Sequence, residues 1–285
     1  MARRRRSVDR VAEHNRRMWE RLAKAGIAYT RPQGRPPRGR AGLRRFLDPH
    51  RRLRGIRLDG ARVLVLAGGG GWDAVVFAKL GAKTTLVDIS RRQVETVRRL
   101  ALRDRVRVRF VQGNMKDLSR FGDASFDLVW HLHSLAFVDD AGRVMREVGR
   151  VLAPGGTYVM STAHPTTIRL YGSFTGGGWR PLVSYFDDGP VPWAGEDAGV
   201  WRSGRKNVYA PTLEYGHRFE TIVNGIAAGG MVVDGLWELP PWALDPAARR
   251  PRAAPKPGSD EHLQMLFPAY IQVRARKPRR GALTR

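Results

Sequence analysis

Cysteine is absent from all 285 residues, which removes disulfides, thiolate metal sites, iron–sulfur clusters and cysteine nucleophiles together. Long apolar runs are missing too, since no stretch approaches the roughly 18 residues that a membrane span needs. The start Met1 to Arg6 is basic, but the polar, amphipathic stretch Ser7 to Glu20 follows where a signal peptide requires an apolar one. These absences predict a soluble, cytoplasmic protein with no membrane partner. Lysine is scarce, 7 residues against 44 arginines. A GC-rich genome produces that skew without selection for phosphate binding.

The formal charge of +25 raises a nucleic-acid partner as a second reading. Its distribution weakens that reading. Residues 1–60 carry +14 and residues 246–285 carry +8, which leaves +3 for everything between them. At 42% hydrophobic the chain buries a sizeable core, so one large domain with elaborations is expected. A basic helical lid segment is expected over 1–55 and the main domain over 56–285. Nothing fixes the oligomeric state, and a homodimer is compatible with it.

Val11, Met18, Trp19 and Leu22 fall near one face of a helix over residues 8–24. The prolines at 32, 36 and 37 then mark an irregular connector. Val63 to Leu66 reads as a strand buried on both faces, ended by glycines. Helical spacing follows at Trp72, Val75, Val76 and Leu80. A second strand, Thr84 to Val87, closes on Asp88, and Ser90 with Gln93 three residues on opens a helix. Val106, Val108 and Phe110 give a third strand and Phe126 to Trp130 a fourth. A helix through Val144 to Leu152 is expected to stop at Pro154-Gly155-Gly156, before a fifth strand over Thr157 to Ser161. This alternation predicts a doubly wound α/β sheet, whose ligands sit outside the carboxyl ends of the strands. Residues 166–215 lose the rhythm and read as an inserted cap. A helix over Phe219 to Ala228, strands over Met231 to Trp237 and Tyr270 to Ala275, and a solvated loop over 245–260 complete the chain.

Ala67-Gly68-Gly69-Gly70-Gly71, after the first strand, lets the backbone approach a ligand closely. Gly69, Gly71 and Ala74 also satisfy a dinucleotide fingerprint, so NAD competes at this point. Asp88, 17 residues after Gly71, is placed to accept both hydroxyls of an adenosine ribose. Gly113-Asn114-Met115, Phe126-Asp127-Leu128-Val129 and Leu152-Ala153-Pro154-Gly155-Gly156 complete the series.

In this order and spacing, over about residues 60–165, these segments resemble the class I S-adenosylmethionine-dependent methyltransferases of small-molecule type. The resemblance implies a seven-stranded Rossmann-like sheet, S-adenosylmethionine as cofactor and a small-molecule acceptor methylated on oxygen, nitrogen or carbon; the alternatives are an RNA or protein methyltransferase using the basic termini, or a non-catalytic S-adenosylmethionine-binding relative. It implies cofactor contacts at Ala67, Gly68, Gly69 and Gly71, at Asp88 and Ile89 for the ribose, at Asn114 and Met115 for adenine, and at Trp130. Ala67 stands where the family has glycine, and Val65 where it commonly has an acid. His131 and His133 follow the fourth strand, where the family lines its transfer chamber, and His164 follows the fifth. Each is a candidate general base or a packed histidine. Trp19 and Tyr29 in the lid, with His217 after the cap, are candidate substrate contacts, and Trp179, Tyr185, Trp193 and Trp201 enclose an apolar substrate or fasten the lid. No short-range histidine or carboxylate pairing suggests a metal.

Overall fold

The computed structural model describes residues 9–195, 198–239 and 254–279. Strands β1 (Arg62–Leu66), β2 (Lys83–Asp88), β3 (Val108–Gln112), β4 (Phe126–His131) and β5 (Leu152–Ala163) run parallel. Strand β6 (Val232–Leu239) pairs with β7 (Tyr270–Arg276), and β7 is antiparallel to β5. The seven-stranded order is β6-β7-β5-β4-β1-β2-β3. The order reverses between β1 and β4, where such sheets bind ligands.

Helices α1 (Arg10–Ala25), α2 (Arg40–Leu47), α3 (Asp73–Lys79), α4 (Arg91–Arg103), α5 (Ala141–Val151), α6 (Phe219–Ala228) and α7 (Asp260–Leu266) accompany the sheet. Val63, Val65 and Leu128 meet Leu43, Val75, Phe77 and Val97 on one face, so α2, α3 and α4 lie there. Leu64, Leu66 and Val129 meet Val144, Val148, Ile222 and Ile226 on the other, beneath α5 and α6. Coverage of both faces explains why the inner strands are continuous apolar runs. Helices α5 and α6 touch backbone to backbone: a Cβ on Gly149 would stand 1.9 Å from the Gly229 carbonyl oxygen.

Three details depart from the sequence reading. Helix α5 ends at Val151, and β5 begins at once, pairing Leu152 with Phe126. Pro154-Gly155-Gly156 is a bulge inside that strand, held by Gly155 N–H to the Lys277 carbonyl and Lys277 N–H to the Gly156 carbonyl. Strand β3 starts at Val108, because the Val106 N–H closes α4 on the Ala101 carbonyl. Of the expected loop, residues 245–253 lie outside the described residues, and Ser259 caps α7 by accepting from the His262 N–H.

The expected N-terminal lid divides in two, since α2 packs on α3 while α1 crosses the carboxyl edge of the sheet. The cap forms ladders of its own: 174–175 with 178–179, 190–191 with 214–215, and 200–203 with 206–209. Leu22 and Ile27 of the lid share a small core with Ala210, Trp201 and Val208 of the cap.

Candidate active site

The chain leaves β1 through Ala67 in the left-handed region, φ 49°, followed by Gly69 at φ 56°. An alanine there is strained, which is why glycine is the commoner solution. Asp88, at the end of β2, is buried and accepts from the Gly69 N–H and the Ser90 N–H, each at 2.8 Å. Burial dominates, and its pKa is raised to about 6. The Ser90 hydroxyl caps α4 by accepting from the Gln93 N–H. The reciprocal half of the capping box is missing, because Asp88 has taken the Ser90 N–H. Gln93 Oε1 is therefore buried without a partner, 3.0 Å from where a Cβ on Gly69 would lie. Unpartnered buried acceptors are costly, so this corner suits a ligand that donates hydrogen bonds. A ribose diol does so, and the corner fits one.

Helix α1 roofs this corner. Glu20 accepts from the Ser90 hydroxyl at 2.9 Å and from the Arg92 N–H at 3.1 Å. Asp9, the N-cap of α1, accepts from the Asn114 amide at 3.0 Å and pairs with the buried Lys116 ammonium at 2.7 Å. Lys116 also pairs with Asp139. The Asn114 side-chain oxygen accepts from the Lys116 N–H, so both ends of the expected adenine contact are engaged. Met115 packs against the core below, and the Thr30 carbonyl sits where a Cβ on Gly70 would go, 2.2 Å away. Asn15 joins the parts of the roof. Its amide donates to the carbonyls of Phe137 and Leu213, and its oxygen accepts from the Leu213 N–H.

Near the carboxyl ends of β4 and β5, His133, Tyr171, Glu214 and Tyr270 gather around a space, here the recess, that is recognised by a contrast. Its side chains keep accessible surface, yet protein surrounds them closely enough to disfavour their charged forms. His133 is exposed while desolvation lowers its pKa to about 4. Glu214 and Tyr270 are half-buried, and desolvation raises them to about 7 and about 12. Tyr171 is raised by the same cause, and its hydroxyl accepts from Gln264 at 3.0 Å. The His133 and Tyr270 rings meet edge to face at 5.0 Å. Tyr171, Tyr270 and Glu214 act on one another electrostatically, as do Tyr29 and Tyr270. The antiparallel direction of β7 brings its first residue, Tyr270, opposite Ala163 at the carboxyl end of β5. His133 itself holds φ 61°, a conformation uncommon for a non-glycine residue and frequent at functional sites. Tyr171, Glu214 and Tyr270 were not singled out in the sequence.

The remaining candidates fall elsewhere. His131 is fully buried, with Nδ1 2.9 Å from the Tyr158 hydroxyl, and desolvation lowers it to about 3. Trp130 is buried in the core on Phe77 and donates to Asp73. His164 is buried against Phe219 with Nε2 3.0 Å from Glu238. His217 Nε2 faces the carbonyls of Leu135 and Val138, which only accept, so this nitrogen carries the proton and fastens the end of the cap to the loop after β4. The Ile89 carbonyl accepts from Gln112. Trp19, Tyr29, Trp193 and Trp201 form one aromatic cluster with Phe137, whereas Trp179 packs with Phe174 and Tyr185 with Phe186.

Residues 64–160 match the family model of a methyltransferase domain. The chain is 31% identical over 182 residues to the uncharacterised methyltransferase YbaJ of Bacillus subtilis, covering 64% of this chain and 69% of that one. It is 34% identical over 111 residues to a ubiquinone biosynthesis O-methyltransferase of Xanthomonas campestris, 39% of this chain but only 46% of the relative. Among solved structures, an S-adenosylmethionine-dependent methyltransferase from Mesorhizobium loti superposes with a TM-score of 0.58 at 22% identity, over 83% of this chain and 96% of that one.

Proposed function

Since the chain belongs to the class I S-adenosylmethionine-dependent methyltransferases, we propose that it methylates a small molecule held in the recess of His133, Tyr171, Glu214 and Tyr270. One observation carries this reading: Asn15 bonds α1 at once to the loop after β4 and to the cap segment before Glu214. A roof fixed this way favours a small acceptor shielded from water over a nucleic-acid strand. The reading is of an enzyme of small-molecule metabolism.

S-Adenosylmethionine supplies a methyl group on a positively charged sulfur. Asp88 and Gln93 are the acceptors for its ribose hydroxyls, and the loop from Ala67 to Gly71 allows the backbone to approach. Asn114 and Met115 border the adenine side, with Asp9 fixing the asparagine. His133, uncharged at neutral pH, orients the acceptor as a hydrogen-bonding group. With a pKa of about 4 it is a weak base. His164 and His217 support the cap from outside the recess. In-line transfer needs chiefly this alignment.

The test supplies methyl-labelled S-adenosylmethionine to the protein together with an extract of its source cells, and separates low-mass, RNA and protein fractions. Label in the low-mass fraction is expected. Label confined to RNA or protein overturns the reading.

A further inference from the structure

The ionisable groups of the recess that can carry charge near neutral pH are carboxylates, since its tyrosines and His133 are neutral there. Glu214 pairs in a short ladder with Val191 on the cap strand, and its neighbour Tyr215 faces Asp9, Lys116 and Asp139 beneath the lid. Side chains alternate along a strand, so Glu214 looks the other way, toward Tyr171 and Tyr270. Among the described residues, the one hydrogen-bond donor to its carboxylate is the Thr212 hydroxyl, at 2.8 Å. Asp260, at the start of α7, acts on both tyrosines. No lysine or arginine is among the described groups acting on Glu214, Tyr270 or Asp260. In a chain with 51 basic residues, that exclusion decides which ligands are welcome. An enclosed carboxylate without a cation is unfavourable until a cation arrives. The walls around it are aromatic, and rings attract cations across their faces.

We propose that Glu214 is the specificity-determining residue of this methyltransferase, selecting an acceptor that presents an amine as its ammonium ion. The proposal rests on the methyl-transfer reading above. An acceptor carrying a carboxylate or phosphate at that point meets Glu214 with like charge and no compensating base. In the reaction the ammonium gives one proton to the Glu214 carboxylate, which frees the nitrogen lone pair. The lone pair forms the new N–CH3 bond as the S–CH3 bond breaks, and the electron pair of that bond stays on sulfur. Sulfur becomes neutral, nitrogen carries the positive charge, and the proton on Glu214 leaves to water.

The test uses full-length protein saturated with S-adenosylhomocysteine, titrated calorimetrically with 2-phenylethylamine, 2-phenylethanol and phenylacetate. The amine is expected to bind at least about tenfold more tightly than the other two, with a margin that grows as pH rises through about 7. Glu214→Gln keeps a partner for Thr212 and is expected to erase both the margin and its pH dependence, with S-adenosylhomocysteine affinity unchanged. Glu214→Asp, which keeps the charge, is expected to retain part of the margin. Equal or tighter binding of the alcohol or the carboxylate, no binding of the amine, or a margin that survives Glu214→Gln overturns the proposal and leaves the methyl-transfer reading intact. Failure of S-adenosylhomocysteine to bind the wild type overturns that reading, and this proposal with it.

Discussion

Asp88 is the residue at which charge and burial meet, in the corner proposed for the ribose. Its carboxylate accepts from two backbone N–H groups, but burial outweighs them and raises the pKa to about 6. In the proposed complex the ionised form accepts from two ribose hydroxyls, whereas the protonated form has lost one acceptor position. Binding therefore favours the ionised form, and affinity must fall as pH drops through the free protein's pKa. Calorimetry with S-adenosylhomocysteine is expected to show affinity level above pH 7 and falling about tenfold per pH unit below 6. A flat profile from pH 5 to 8 would show that Asp88 does not meet the ribose. The position of Asp88 is legible in the sequence because strand length and the glycine run fix it through the backbone. Trp130 and His131 are buried for a related reason: alternation sends neighbouring side chains of β4 to opposite faces, and at this end of the strand both faces are still packed core. His133 is free of that core because the chain has already turned, at φ 61°.

At the scale of elements, the parallel strands and α6 were legible because each depends on its own apolar pattern. Helix α2 was not, since arginines fill its sequence and Gly39 offers no side-chain cap. Helix α7 is only 7 residues long. The acceptor recess was hidden for another reason. Tyr171, Glu214 and Tyr270 come from three separate segments, and only the tertiary fold brings them together. The lid is the element whose motion should govern access, and its docking combines a small apolar core with polar contacts. Asn15→Ala deletes three of them and leaves the Leu213 N–H and the carbonyls of Leu213 and Phe137 without that partner. Each net hydrogen bond contributes about 0.5–1.5 kcal/mol, so lid closure should weaken by about 1.5–4.5 kcal/mol. The body keeps its own core, so faster amide exchange is expected in residues 10–25 and 211–215, with little change in strands β1 to β5. The release rate of S-adenosylhomocysteine, followed by stopped flow, should rise by at least tenfold. Unchanged release would assign α1 to the scaffold and not to a gate.

For the whole molecule, the arginine excess has two explanations with different consequences. Some arginines replace secondary structure in the irregular parts. Arg169, buried in the cap, donates to the carbonyls of Pro165, Ser184, Tyr185 and Asp187. Arg150 ties the carbonyls of Leu118 and Phe121 to Glu147 and Asp123. Arg44 holds the carbonyls of Leu53 and Ile56. A guanidinium suits this work because its planar fork presents several donors at once. These side chains are not a phosphate-binding surface, although the total charge of +25 still attracts polyanions. Non-specific RNA binding is therefore expected at low salt. It should weaken steeply between about 50 and 300 mM salt as counterion release loses its advantage. Methyl transfer to the low-mass acceptor takes place inside a roofed recess, so its rate should stay nearly constant across the same range, apart from the modest screening of the Asp9–Lys116 contact. Measuring RNA retention and methyl transfer in one salt series separates the two explanations. If transfer falls in parallel with RNA retention, the charge takes part in the reaction and the recess alone does not select the acceptor. If transfer holds while retention is lost, the terminal charge is independent of the chemistry and the recess alone selects the acceptor.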